Sequence, residues 1–293
     1  MIDGRETAPG KAFSGMYLDV KGNPIAEASL NGPLAAAIPG TPAALAHIAK
    51  KYGRLPLAKS LAPAIVLARS GFKVDQRFVQ TAKNHQDKLR DYQQSAQIFL
   101  SDGQAPIAGS VLRQPQLAAT LTEIARHGHN GFYQGRVADD MVQSVKQAGG
   151  IWEREDLVHY RVIEREPVRF SYRGATITSA SLPSSGGLTL AQGLNILENF
   201  QLAKLNPTDK AHLVAEALRR AYQDRARYLG DSDFVSVPVE KLTSKNYGRA
   251  RAASIDLNQA TPSSGGGEGG EGVAPKLLIF RSWTGRGTEW RRP

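Results

Sequence analysis

The sequence predicts an α+β chain that is mostly helix with one confident hairpin. Three observations carry this. Between Thr41 and Gln147 apolar residues recur at helical spacing, with glycine and proline stops between segments. Val168, Phe170 and Tyr172 alternate with Arg169, Ser171 and Arg173, and Gly174 then leads into a run rich in β-branched residues. After Gly187 the helical period returns.

The elements follow in order. Leu34-Ala35-Ala36-Ala37-Ile38 ends in a Pro39-Gly40 turn, and Thr41 before Pro42 reads as an N-cap with proline at the first helical position. Leu45, Ile48, Ala49 and Tyr52 share a face of that helix, and Gly53 sits where a left-handed terminal residue is expected. The same punctuation predicts two short helices, one around Leu55 to Leu61 and one from Pro63 to a stop at Gly71, with Phe72 folded back on the last turn. Asp75 caps a longer polar helix carrying Phe78, Val79, Ala82 and Leu89. Pro115 opens an amphipathic helix that ends at Gly128, and another runs from about Tyr133 to Gln147. Beyond the hairpin, Leu190, Leu194, Leu197 and Phe200 mark a helix. Thr208 caps a long one ending at Gly230, with Glu216 and Arg220 as an i,i+4 pair on its surface. A last helix lies between Ser244 and Ala253.

The bulk composition bounds the chemistry. With 293 residues, 41% of them hydrophobic, the chain can bury a substantial core. It has no cysteine, which excludes disulfides, thiolate nucleophiles and Cys-ligated metal centres. The net charge of +10 suits acidic partners. The basic residues are nevertheless mixed with acids, as in Glu153-Arg154-Glu155-Asp156, so a solvated mixed surface is expected and no nucleic-acid partner. No apolar run approaches the roughly 20 residues a membrane span needs. Met1-Ile2-Asp3-Gly4 has neither a basic nor an apolar signal region, so a chain expressed as written is expected in the cytoplasm. From Ser263 the composition shifts to Ser-Ser-Gly-Gly-Gly-Glu-Gly-Gly-Glu-Gly, and Trp283 and Trp290 then sit among arginines. Residues 1–264 are therefore read as one region and 265–293 as a Gly-rich linker and tail, either an arm for nucleic acid or an out-of-frame extension.

Chemistry-bearing candidates are few. Arg5 in Asp3-Gly4-Arg5-Glu6-Thr7-Ala8-Pro9 stands between a glycine turn and a proline, a setting for a bidentate carboxylate clamp or for a solvated arginine. His127-Gly128-His129 could ligate a metal if a carboxylate joined it, or could satisfy the last carbonyls of a helix. Ser184-Ser185-Gly186-Gly187 opens a helix where negative charge is favoured, though close strand-to-helix packing explains the glycines equally well. Dinucleotide, P-loop, GxSxG and HExxH signatures are absent.

Seven separated motifs together resemble the large subunit of bacterial γ-glutamyltransferases. They are Asp3-Gly4-Arg5-Glu6-Thr7-Ala8-Pro9, Ile38-Pro39-Gly40-Thr41-Pro42, Tyr52-Gly53-Arg54-Leu55-Pro56, Pro63-Ala64-Ile65 with Ala68 and Gly71-Phe72, Gly131-Phe132-Tyr133, Leu182-Pro183-Ser184-Ser185-Gly186-Gly187, and Asp224-Arg225-Ala226 with Tyr228-Leu229-Gly230-Asp231. The resemblance implies the mostly helical part of an αββα N-terminal nucleophile hydrolase sandwich, made as a precursor that cuts itself into two subunits. It implies Arg5 as the group that binds the α-carboxylate of a γ-glutamyl substrate such as glutathione, with no cofactor and no metal. It also implies a threonine nucleophile from a Thr-Thr-His type junction in a small subunit. No such junction follows Thr261-Pro262-Ser263, and Thr284 and Thr288 stand in the wrong context. The chain is accordingly expected to be a large-subunit fragment, inactive alone, whose partners are γ-glutamyl compounds and a separately supplied small subunit. Family members are periplasmic or secreted. A related cephalosporin-type acylase and a non-catalytic binding module with a basic surface are the alternatives.

Overall fold

Glycine and proline set the boundaries of the elements in the computed structural model, which describes residues 1–262. Helices prevail and the sheets are small, as an α+β chain requires. The described residues form two units that divide after Ile163, with Met1 grouped in the second. The expected tail from residue 265 lies outside the described residues.

In the first unit, helix α1 (Thr41–Lys51) begins at Thr41 itself, so Gly40 precedes the helix and no side chain caps it. Helix α2 (Leu57–Ser70) runs unbroken through Pro63, where the punctuation predicted two helices. An internal proline removes one hydrogen bond and crowds the preceding turn. Packing of α2 along its length on α6 (Pro115–His127) compensates for that loss. Gly71 ends α2 with φ 88°, and a Cβ there would lie 2.7 Å from the Leu112 carbonyl oxygen. Phe72 does not fold back on the helix. It pairs with Leu112 in a two-residue antiparallel ladder, because the glycine turns the chain outward.

Asp75 caps α3 (Gln76–Asn84) as expected, its carboxylate accepting from the Phe78 amide at 2.8 Å. The expected longer helix breaks at His85 and resumes as α4 (Gln86–Arg90). Helices α5 (Gln93–Phe99), α7 (Asn130–Tyr133) and α9 (Arg154–Val158) are too short to announce a period, whereas α8 (Gly135–Gln147) matches its apolar stripe. Ile38, Ala43, Tyr133, Ala138, Val142, Trp152, Leu157 and Tyr160 form the buried core of this unit.

The second unit opens with the predicted hairpin. Val168–Tyr172 pairs antiparallel with Ala175–Ser179, Phe170 opposite Ile177, and Arg173 (φ 48°) and Gly174 (φ 84°) supply the left-handed pair that a two-residue turn needs. Helix α10 (Gly186–Leu197) packs on α11 (Pro207–Tyr228), with α12 (Val239–Thr243) and α13 (Lys245–Ala252) against α10. The cap of α11 is Asn206 and not Thr208: its side chain accepts from the Asp209 amide at 3.0 Å, which puts Pro207 in the first turn where its missing N–H costs nothing. Ser244 caps α13. None of the described helices is long and apolar enough to cross a membrane.

One pair departs from expectation more sharply. Glu216 and Arg220 are 1% and 5% exposed, so they are interior and not a surface pair. Residues 254–261 lie over this face of α11, a covering that the helix's own sequence does not reveal. Glu216 accepts from Arg220 at 2.6 Å and from the Thr261 amide at 3.1 Å, and the Thr261 hydroxyl also donates to it. Arg220 in turn donates to the Ser254 hydroxyl at 2.8 Å and the Ser254 carbonyl at 2.6 Å. Burial opposes ionisation of Glu216, but the bonds from Thr261 and Arg220 outweigh it and hold the carboxyl at about 2.

A carboxyl held below its unfolded value adds stability above the unfolded pKa of 4.5, and that stability fades as pH falls toward 2. Glu216→Gln leaves Arg220 buried without its counter-charge, so urea unfolding at pH 7 should show a loss of about 3 kcal/mol. The gap to wild type should narrow between pH 4.5 and 2. An equal gap at both ends of that range would contradict the ion pair.

Candidate functional site

The backbone around Arg5 is held at three points. The Arg5 amide donates to the Asp3 carboxylate at 3.0 Å. Thr7 exchanges backbone bonds with Ile38 at 3.2 and 2.9 Å. The Arg5 carbonyl accepts from the Tyr160 hydroxyl at 2.7 Å. The guanidinium is held far less firmly: its side chain is 52% exposed, and Nε lies 3.9 Å from a Glu6 carboxylate oxygen. Such an exposed pair is worth at most about 1 kcal/mol, so a carboxylate presented in the plane of the fork can displace it.

Three stretches far apart in the sequence build this anchorage. Gly4 and Gly40 bring the opening loop against the start of α1: a Cβ at Gly4 would lie 2.5 Å from Ala44 Cβ, and one at Gly40 would lie 1.9 Å from the Tyr160 hydroxyl and 2.2 Å from the Gly4 carbonyl oxygen. Tyr160 thus reaches Arg5 across a space that any larger residue at position 40 fills. Tyr133 bridges the same turn, donating to the Pro39 carbonyl at 2.6 Å and accepting from the Ala43 amide at 3.2 Å. The rings of His129, Tyr133 and Tyr160 stack in sequence, at 4.3 and 5.3 Å between centroids and 16° and 10° between planes. His129 Nε2 lies 3.1 Å from the Tyr160 carbonyl oxygen.

Gly131 lets this stack sit tightly on α6, since a Cβ there would lie 2.1 Å from the Glu123 carbonyl oxygen. Burial pushes the Tyr133 hydroxyl pKa up, and it raises Tyr160 to about 12 with help from the nearby Asp3 and Glu6 charges. Both phenols therefore stay protonated donors. Tyr160 carries no motif of its own in Val158-His159-Tyr160-Arg161, and an aromatic residue just beyond a short helix was its sole signal.

The other candidates have different employments. His127 lies 3.8 Å from the Glu123 carboxylate on the rim of an open cleft of about 340 Å³, while His129 belongs to the aromatic stack. Among the described residues there is no group of three His, Cys, Asp or Glu side chains fit to hold a metal ion. Ser184-Ser185-Gly186-Gly187, in the second unit, serves close packing: a Cβ at Gly187 would lie 2.1 Å from the Ala180 carbonyl oxygen, and Ser185 accepts from Arg225 at 2.9 Å. Asp224 of the next motif is buried, accepting from Gln192 at 3.0 Å with Arg251 3.3 Å away. Thr284 and Thr288 lie outside the described residues.

Comparison with known proteins shows the family. A family model described as gamma-glutamyltranspeptidase matches residues 1–278. The glutathione hydrolase proenzyme of Escherichia coli K12 is 42% identical over 266 residues, covering 90% of this chain and 46% of that protein. The acylase ACY 1 proenzyme of Pseudomonas sp. strain SE83 is 36% identical, covering 92% of this chain and 50% of that one. The crystal structure of Helicobacter pylori gamma-glutamyltranspeptidase superposes with a TM-score of 0.88 at 42% identity, covering 92% of this chain and 78% of that chain. The chain therefore spans about half the length of the curated relatives it matches.

The glycine gap is open to direct test. Gly40→Ala drives a methyl into the Tyr160 hydroxyl and the Gly4 carbonyl, and overpacking of this kind should cost about 2 kcal/mol in urea unfolding. A neutral or stabilising alanine would mean that the Tyr160 ring has room to move aside.

Proposed function

Because the chain belongs to the gamma-glutamyltranspeptidase family, we propose that it is the large-subunit portion of an enzyme that cleaves the γ-glutamyl amide of glutathione and passes the γ-glutamyl group to water, an amino acid or a peptide. In this reading its two units are the helical share of an αββα N-terminal nucleophile hydrolase sandwich. Arg5 binds the α-carboxylate of the γ-glutamyl group through its planar fork. The threonine that attacks the amide, with its own α-amine as base, comes from a small subunit supplied separately, as do the donors that stabilise the oxyanion. The chain's share of the chemistry is to hold the substrate in a fixed orientation, the contribution that turns binding into rate.

The observation that carries the reading is the contrast at Arg5. Its backbone is bonded to Asp3 and Tyr160, with the loop pinned again at Thr7 by Ile38, while its guanidinium keeps a single weak contact with Glu6 among the described residues. An arginine kept for stability would show the reverse. A related acylase acting on cephalosporin-type side chains is the second reading, favoured by the 36% identity to the ACY 1 proenzyme.

The purified chain should release no chromogenic amine from a γ-glutamyl anilide alone, and should do so once mixed with the separately expressed small subunit of a relative. Activity of the chain by itself would place the nucleophile within it; faster cleavage of a cephalosporin side-chain amide by the mixture would favour the acylase. In the active mixture Arg5→Lys keeps the charge but loses the fork, and kcat/KM should fall about 30-fold, equivalent to about 2 kcal/mol. An unchanged kcat/KM would remove Arg5 from the site.

A further inference from the structure

We propose that Tyr160 is the positioning residue of Arg5: its hydroxyl, passing over Gly40 to the Arg5 carbonyl, fixes the point from which the guanidinium reaches a carboxylate. The inference rests on the reading of Arg5 as a clamp. It goes further in assigning a role to a residue that no motif marks.

The geometry separates Tyr160 from an ordinary core tyrosine. Its ring is buried in the stack with Tyr133, but its hydroxyl leaves the core and ends on the carbonyl of Arg5, whose side chain is half exposed and lies 3.9 Å from Glu6. Tyr133, in the same stack, spends its hydroxyl on the Pro39–Ala43 turn instead. The other restraints on the loop act on neighbouring peptide planes. The Asp3 carboxylate, on the half-buried strand Ile2–Asp3, holds the Arg5 amide and so fixes the peptide plane before Arg5, not the one that bears the Arg5 carbonyl. The Thr7–Ile38 pair lies beyond Arg5 and leaves the peptide plane at Arg5 free to turn. Among the described residues it is Tyr160 that ties the Arg5 carbonyl to the core, through a ring wedged between Tyr133 and the gap at Gly40. Without the Tyr160 hydroxyl, the ligand has to order the backbone that carries the guanidinium as well as the side chain, and that entropy counts against affinity.

The test compares the wild-type chain with Tyr160→Phe, which keeps the ring and its stacking. Nuclear magnetic resonance order parameters of the residue 5–7 amides should fall from about 0.85 to below about 0.6 in Tyr160→Phe, with no such change elsewhere in α1 or α8. Glutathione titrated into the full chain should bind about 5-fold more weakly to Tyr160→Phe, the size of one hydrogen bond. That loss should vanish in an Arg5→Lys background, because a residue acting through Arg5 has nothing left to position there.

Unchanged order parameters, or an equal loss of affinity in both backgrounds, overturns the assignment. If Arg5→Lys binds glutathione as well as wild type does, or wild type binds none, the clamp reading fails and the order parameters still decide whether Tyr160 fixes the loop. Should Tyr160→Phe fail to fold, the wild-type chain suffices. A slowly exchanging Tyr160 hydroxyl proton with a through-space contact to Arg5 Hα supports the proposal, and its absence refutes it.

Discussion

The candidate site depends on one hydrogen bond that crosses a gap left by a missing side chain. The Tyr160 hydroxyl meets the Arg5 carbonyl at 2.7 Å because Gly40 offers nothing in its path. A buried phenol must find a partner or pay for its desolvation, and here the partner is the backbone of the loop that carries the exposed guanidinium. The core thereby becomes a fixture for a surface residue. The stack of His129, Tyr133 and Tyr160 is the rigid body, and the loop at Arg5 is what it holds.

This arrangement explains why short motifs scattered between residues 3 and 133 matter together. Gly4, Gly40 and Gly131 each sit where a Cβ would collide with a neighbouring backbone or side chain, and the Pro39–Ala43 turn is closed by Tyr133. Each motif is one surface of a single contact. Local sequence made the glycines and prolines conspicuous, and Arg5 stands out as a candidate on that ground. Tyr160 stayed silent, because its importance lies in a partner 155 residues away and no spacing rule reaches that far.

The same division runs through the fold. Features decided within one turn of chain were legible: the Gly174 hairpin, the Asp75 cap, and the stops at Gly71 and Gly128. Features decided by what lies opposite were not. Pro63 was read as a boundary because its local cost is real, yet packing on α6 keeps α2 whole. Glu216 and Arg220 have the spacing of a solvated pair, and only the return of residues 254–261 over α11 makes them interior. Once covered, neither charge can be lost alone without stranding the other, which ties the segment ending at Thr261 to the centre of the long helix.

The gap at position 40 also has an evolutionary reading. A Cβ there would sit 1.9 Å from the Tyr160 hydroxyl but also 2.6 Å from the ring carbon that bears it, so exchanging tyrosine for phenylalanine does not make room for alanine. The Gly4 carbonyl, 2.2 Å away, bars the same step from the other side. Single replacements at 40 thus stay blocked until both the residue at 160 and the path of the loop at 4 have shifted. Positions 4, 40 and 160 are therefore sterically coupled, and a larger residue at 40 requires the loop's support to be rebuilt elsewhere.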